Sequence, residues 1–378
     1  MKTCYQAILP IGFLASARSC GIKHSGKPDL GLIYSQYPAS AAALITANKV
    51  KAACLKLNQL NLSRSKYIKA IIANSGNANC FTGRQGLIDA MDNAKRLSLE
   101  LGINKNEVLV ASTGIIGKRL PVEKINKAIQ GLVAGLSRKN IAKVSQAILT
   151  TDLVSKQITV QFNLGKKKIT ICGIAKGSGM IAPNMATMLA FIMTDARVSY
   201  LNLKKALKQA SDKSFNSITI DGCMSTNDTV IALANGASKA DIGNSKANFR
   251  QFSKALDIVC LELAKMIVAD GEGATKFIEI AVSGARNYQE AKRAALSIAN
   301  SNLFKTAMYG EDPNFGRVVA GLGASRVSFN EEKLKVKLSP LAKNKIKIQV
   351  WLNAGQSRAT VYTSDLSPEY IKINAAYN

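Results

Sequence analysis

A mixed α/β fold with layered sheets and helices is predicted by three features of the sequence. Short apolar runs ending in turn residues alternate with amphipathic segments of helical period. Two alternating segments, 158–164 and 168–174, flank Gly165-Lys166 as the arms of a hairpin do. No fixed-period repeat, low-complexity tract or obvious linker breaks this order, which argues against a solenoid. With 378 residues, 47% of them hydrophobic, the chain can bury one large core or two ordinary ones, and two lobes are expected without a boundary that composition reveals.

The elements follow in chain order. Residues 67–73 form an apolar run closed by Asn74-Ser75-Gly76-Asn77, a strand entering a turn. Residues 86–101 carry apolar residues at helical spacing and stop before Gly102. A strand over 107–111 leads to Ser112-Thr113-Gly114, and Pro121 suits the first turn of an amphipathic helix over 122–136. Beyond the hairpin, Met188 to Met193 reads as a buried strand. Helices are expected over 201–214, 246–269 and 290–299, and strands near 217–221, 229–233, 277–282, 345–351 and 359–362.

Composition excludes several function classes. Seven scattered cysteines with no Cys-x-x-Cys argue against a disulfide framework or zinc site and suit a reducing cytosol, so a cytoplasmic location is expected. The single histidine, His24, rules out a histidine-rich metal site and reads as a loop residue. The net charge of +27 raises nucleic-acid binding as a rival function. Lysines are spread along the chain without a basic run, however, and only 6% of residues are aromatic, so a lysine-coated soluble surface is the preferred reading, with neither nucleic acid nor membrane as partner. No apolar run is long enough to span a bilayer. Lys2 followed by Ala7 to Ala15 imitates a signal peptide, but Tyr5, Gln6, Pro10 and Gly12 interrupt it.

The chemistry-bearing stretch is 173–196. A glycine-rich turn carrying Lys176 runs through Gly177, Gly179 and Pro183 to Thr187, which opens the apolar run. Thr187 reads either as an ordinary strand threonine or as a nucleophile. No histidine is at hand to activate it. A threonine that becomes an amino terminus can use its own α-amine, of ordinary pKa about 8, as the base. That requires a break at Ala186–Thr187, which the Thr187 hydroxyl can make by attacking the preceding carbonyl. Ser112-Thr113-Gly114 can offer two donors to an oxyanion or be a simple turn. In Asp270-Gly271-Glu272-Gly273-Ala274-Thr275-Lys276, glycines on both sides present the Glu272 carboxylate to a cationic group, although the segment also suits a helix stop. No dinucleotide fingerprint or phosphate-binding loop is present, so nicotinamide or flavin chemistry has no support, and a direct acyl exchange on Thr187 is expected to need no external cofactor.

Together and in this order, these motifs resemble the ornithine acetyltransferase (glutamate N-acetyltransferase) family of arginine biosynthesis. The likeness runs nearly end to end: Gly12-Phe13, Gly21-Ile22-Lys23, Asn74 to Asn79, Ser112 to Gly114, Thr150-Thr151-Asp152, Ala175 to Leu189, Asp270 to Lys276, Asp312 to Arg317 and Ile373-Asn374-Ala375. It takes Gly12 to Lys23 into the folded part, against export. The resemblance implies a two-lobed self-processing fold, cut at Ala186–Thr187 into an α chain of 1–186 and a β chain of 187–378. These chains stay associated, commonly as a heterotetramer of two of each. It further implies Thr187 as nucleophile, Thr113 and Gly114 as oxyanion hole, and Thr150, Lys176, Thr187, Glu272 and Asn374 as substrate-binding positions. The substrates it implies are N-acetylornithine and L-glutamate, exchanging acetyl through an acetyl-threonine with ping-pong kinetics. Some family members also take acetyl-CoA, and no residue here decides that.

Three departures stand out. Phe315 replaces the usual tryptophan, Ala41 to Thr46 differs from the usual pattern, and the family's hydroxyl residue at the extreme C-terminus, shortly after the Asn374 position, is not matched by the final residue here, Asn378. A self-processing amidase or aminopeptidase passing the acyl group to water is the nearest alternative.

Overall fold

A computed structural model describes residues 1–182, 188–243 and 245–376. Ala186 and Thr187, like Pro183 and Asn184 before them and Asn378 at the end, lie outside the described residues. The chain divides into two compact units, the first drawn from Met1–Gly177, Met185–Ser211 and Ser225–Leu263, the second from Ser178–Asn184, Asp212–Met224 and Ala264–Asn378. Both expected fragments, 1–186 and 187–378, therefore contribute to each unit.

The first unit contains strands β1 (Lys2–Cys4), β2 (Phe13–Arg18), β3 (Leu30–Ile45), β4 (Ile68–Asn77), β5 (Val108–Ile115), β6 (Lys156–Leu164), β7 (Lys167–Lys176), β8 (Leu189–Thr194) and β9 (Thr229–Ala234). They join in the order β1-β6-β7-β8-β9-β3-β4-β5, with β2 also on β3. β3 is long because it serves both halves. Leu30 to Tyr34 pair with β4, the register then shifts, and Ser40 to Ile45 pair with β9. The expected hairpin is present, with Leu164 opposite Lys167. β8 lies antiparallel to β7 and parallel to β9.

Period-two alternation splits the apolar side chains of β4 and β5 between two cores. Ile71, Ala73, Leu109 and Ala111 enter one core with Phe191 and Met193 of β8. Ala70, Ile72, Val108 and Val110 enter the other with side chains of α1 (Ala53–Arg64), α2 (Gly83–Leu101) and α3 (Val122–Ala134). Helices α4 (Ile141–Ala147) and α5 (Tyr200–Asp212) follow, and α6 (Lys246–Ala269) packs on β7. A Cβ at Gly173 would lie 2.6 Å from Val259 and 2.8 Å from Leu263, so glycine sets how closely that helix approaches.

The second unit holds a four-stranded sheet, β11 (Lys335–Leu338), β12 (Lys345–Trp351), β10 (Phe277–Ala285) and β13 (Ser357–Ser364), in that spatial order. Helix α7 (Tyr288–Ala299) presents Ala291, Ala294, Ala295 and Ile298, the i, i+3, i+4, i+7 stripe, to the core beneath the sheet. The Asn287 side chain caps it by accepting from the Glu290 N–H at 2.9 Å. Helices α8 (Asn302–Tyr309), α9 (Phe315–Gly323) and α10 (Pro368–Ala375) complete the unit.

The mixed α/β class and the layering are as the sequence predicts, with two local corrections. β4 and β5 do not end before their polar motifs but continue through Asn74-Ser75-Gly76-Asn77 and Ser112-Thr113-Gly114. The predicted strand over 217–221 is an irregular segment with one bridge, Ile218 to Tyr362. There the Asp221 carboxylate takes backbone N–H groups of Met180, Ile181 and Cys223. As expected, the end of the signal-like stretch Ala7 to Ala15 belongs to a folded core strand, Phe13–Arg18, and His24 is an exposed turn residue. No described helix is long and apolar enough to cross a membrane.

Candidate active site

Within the first unit, sequence-predicted residues from three separate elements converge. The parallel pairing of β4 and β5 brings Gly76 opposite Gly114. Gly114 has φ +131°, and a Cβ there would lie 2.4 Å from the Gly76 carbonyl carbon. Glycine is required on both grounds. Gly114→Ala is expected to cost at least about 2 kcal/mol of stability, read by urea denaturation; an unchanged midpoint would contradict that geometry. The strand end is also pinned from the side: Ser112 Oγ donates to Asn74 Oδ1 at 2.7 Å, and Asn227 Nδ2 donates to the carbonyls of Ser112 at 2.7 Å and Ala78 at 2.6 Å.

Lys176, at the end of β7, is buried and reaches across to this strand end. Its Nζ donates to Thr150 Oγ1 at 2.7 Å and to Thr113 Oγ1 at 3.4 Å. A hydroxyl that accepts from an ammonium keeps its own proton to donate, so both threonines are set up as donors. Asp152 holds the ammonium in place. It pairs with Lys156 at 2.7 Å, lies 3.8 Å from Lys176, and accepts the N–H groups of Gly177 at 2.6 Å and Thr150 at 3.1 Å. Burial on its own would raise the Asp152 carboxyl, but the Lys176 and Lys156 ammoniums outweigh it and hold the group well below the usual carboxylate range.

Lys23 stands in the same field. Burial pulls its ammonium down to about 8, with Lys176 pushing the same way and Asp29 opposing. Asp29 itself is committed to the N–H groups of Cys20, Ile22 and Lys23. Lys156 and Lys176 thus share Asp152 in a buried setting, with the half-buried Lys23 in the same field, a cationic surrounding suited to a carboxylate or a developing oxyanion.

Two other predicted residues meet in the second unit. Asn374 Nδ2 donates to Glu272 Oε2 at 2.9 Å, and the Glu272 N–H donates to the Ser178 carbonyl at 2.8 Å. A Cβ on Gly179 would overlap the Glu272 carboxylate, and Gly273, at φ +67°, lies under the first turn of α10. Tyr370 donates to Asp221 at 3.2 Å. Burial raises the Asp221 carboxyl, and the Glu272 charge adds to the effect. This loop is anionic and suits an ammonium.

Thr113, Thr150 and Lys176 therefore come together in one unit, as Glu272 and Asn374 do in the other, while Thr187 falls outside the described residues. No sequence motif singles out Asp152, Lys156 or Asn227 as site residues. Asp152 did stand inside the Thr150-Thr151-Asp152 motif, and its i, i+4 spacing to Lys156 was the available signal.

Comparison with known proteins adds the following. The family model described as "ArgJ family" matches residues 14–378. The Geobacter sulfurreducens protein named "Arginine biosynthesis bifunctional protein ArgJ" is 44% identical over 388 residues, covering 97% of this chain and 98% of its own. A Caldanaerobacter subterraneus relative of the same name is 44% identical over 394 residues, covering 98% and 97%. Among solved structures, a Bacillus halodurans protein of that name is 38% identical, with a TM-score of 0.46, covering 49% of this chain and 98% of its own. The Mycobacterium tuberculosis ornithine acetyltransferase complexed with ornithine is 34% identical, with a TM-score of 0.45, covering 48% and 98%.

Proposed function

For this chain, which belongs to the ArgJ family and is an enzyme of arginine biosynthesis, we propose acetyl transfer from N-acetylornithine to L-glutamate through an acetyl-Thr187 intermediate. The observation that carries this reading is the buried Lys176, which organises Thr113 and Thr150 at the end of β5. Thr187 Oγ attacks the Ala186 carbonyl carbon, and the C–N bond breaks to leave an ester and a free α-amine. Water hydrolyses that ester to an Ala186 carboxylate, so that the hydroxyl is free again and the new α-amine serves as base. Thr187 Oγ attacks the acetyl carbonyl, and the Thr113 hydroxyl with the Gly114 N–H stabilises the tetrahedral oxyanion. The amine returns its proton to ornithine as it leaves. Glutamate then attacks the acetyl ester, releasing N-acetylglutamate and regenerating the hydroxyl. In the first unit Lys176 suits a substrate carboxylate; in the second, Glu272 suits the ornithine ammonium.

Sheet order supports a cut chain that stays together. β8 and β9 belong to the 187–378 fragment, yet β8 pairs along its length with β7 and β9 pairs with β3. These ladders and the core around Phe191 do not depend on the Ala186–Thr187 bond. Pairing within a chain does not address an assembly of two α and two β chains; light scattering at known concentration tests that expectation.

Comparing acyl acceptors tests the function. Acetyl should pass from N-acetylornithine to added glutamate, with free ornithine formed at a matching rate and little acetate. Release of acetate at the same rate with and without glutamate would identify a hydrolase instead.

A further inference from the structure

Glu272, the residue proposed above to meet the ornithine ammonium, stands between Gly271 and Gly273. A carboxylate on so pliant a stretch has no fixed position of its own, so the loop must be held from outside. In the second unit the segment 363–367, which ends β13 and leads into α10, holds it on the C-terminal side of Glu272. Ser367 Oγ donates to the Gly273 carbonyl at 2.6 Å. Asp365, 3% exposed, accepts the Thr275 and Lys276 N–H groups through Oδ1, both at 2.9 Å, and the Thr275 hydroxyl through Oδ2. Asn374, on the helix that follows, donates to Glu272 Oε2 at 2.9 Å. One continuous stretch, 365–374, therefore grips the loop backbone at one end and the Glu272 carboxylate at the other. The grip is itself anchored. Lys305, 2% exposed, donates from Nζ to the Thr363 hydroxyl at 2.9 Å and to the Ser364 carbonyl, and its own carbonyl accepts the Leu366 N–H at 3.3 Å. Burial pulls the Lys305 ammonium down to about 8, with Asp365 first and then Asp221 opposing. Asp365 thus balances a buried charge on one side and orders three donors on the other.

We propose that Asp365 is a positioning residue for donor selection: by fixing residues 273–276 it holds the Glu272 carboxylate where it meets the side-chain ammonium of N-acetylornithine. A preorganised carboxylate gives its full interaction to the ammonium, whereas a loose one loses part of it to ordering the loop. Selectivity between acetylated amino acids then depends on a residue that touches neither substrate. This inference rests on the Glu272 reading above.

N-acetylnorvaline, which lacks only the terminal amine, provides the comparison. Wild-type enzyme should prefer N-acetylornithine by about a hundredfold in kcat/KM. Asp365→Asn, which keeps one acceptor oxygen and loses the charge, should narrow that preference about tenfold through a higher KM for N-acetylornithine. Thr275→Val removes only the hydroxyl that Asp365 accepts and should narrow it about threefold. A change that merely loosens the fold lowers both donors together and leaves their ratio alone, so an equal loss on the two donors overturns the proposal. A preference kept in both variants while Glu272→Gln abolishes it also overturns the proposal and leaves the Glu272 reading standing. Wild-type protein gives a reading that does not depend on any variant folding. Its Thr275 and Lys276 amides should exchange hydrogen at least about a hundredfold more slowly than in an unstructured peptide, and unprotected exchange overturns the clasp. A wild-type enzyme that takes the two donors equally sinks the Glu272 reading, and this inference with it, so the two failures are distinguishable.

Discussion

Thr187→Ala is expected to leave one intact polypeptide and to lower acetyl exchange by about three orders of magnitude or more. The size follows from the double duty of the residue. In the proposed mechanism its hydroxyl makes the cut and, once freed again, accepts the acetyl group, and its amine exists only after the cut. Removing a nucleophile that acts as one unit with its base typically costs as much as removing the whole unit. The β-sheet ladders flanking the position are formed by backbone groups of β7, β8 and β9, so the alanine variant should fold. Intact mass and an exchange assay read both effects on one preparation. Wild-type cleavage in Thr187→Ala would move the self-processing nucleophile elsewhere, and wild-type exchange in an uncut alanine variant would remove Thr187 from the chemistry.

Asp152→Asn is expected to be the most destabilising single change near the site, by about 3–5 kcal/mol. Its side chain and that of Lys156 are fully buried, and that of Lys176 is 3% exposed. Removing the carboxylate leaves two neighbouring ammoniums in a poorly hydrated space with no charge between them. Lys156→Met should be much milder, because Asp152 and Lys176 still balance. The pH dependence has a definite sign. A carboxyl whose folded pKa is depressed contributes stability that is present above its unfolded value of about 3.9 and is lost as pH falls toward the folded value. Acid unfolding of the wild type should therefore include this loss, and Asp152→Asn, already destabilised at neutral pH, should lack it. Urea midpoints from neutral pH down to about pH 3 check both statements. Equal midpoints for the two proteins at neutral pH would show that Asp152 is not the counter-charge described above.

What the sequence reveals of this fold depends on how local each determinant is. The hairpin around Gly165-Lys166 and the helix Lys246–Ala269 are legible because turn chemistry and periodicity specify them from within. β3 is not, since Tyr34-Ser35-Gln36-Tyr37-Pro38 breaks the alternation where the strand changes partners. The polar ends of β4 and β5 read as turns because their hydrogen bonds go to distant groups, Ala147 for Ser75 and Asn227 for Ser112. The segment near 217–221 has strand-like composition, but Asp221 engages backbone donors on either side of it in sequence and keeps it irregular.

The candidate site divides in the same way. Thr113, Thr150 and Lys176 were recognisable from their motifs, and the structure shows why they belong together: one ammonium bridges two hydroxyls. Asp152 acts on Lys176 across 24 positions, and Asp365 on Thr275 across 90, through contacts that no local pattern encodes. Such counter-charges and clamps become visible only when the sheet order is known.

Denaturing mass spectrometry of the purified wild-type enzyme, with N-acetylornithine added and glutamate withheld, tests the central claim most directly. The account predicts two polypeptides, 1–186 and 187–378, with the second gaining the mass of one acetyl group at its amino-terminal threonine and losing it when glutamate is supplied. A single uncut chain that exchanges acetyl at full rate, or a cut enzyme whose second fragment never carries acetyl, would contradict it.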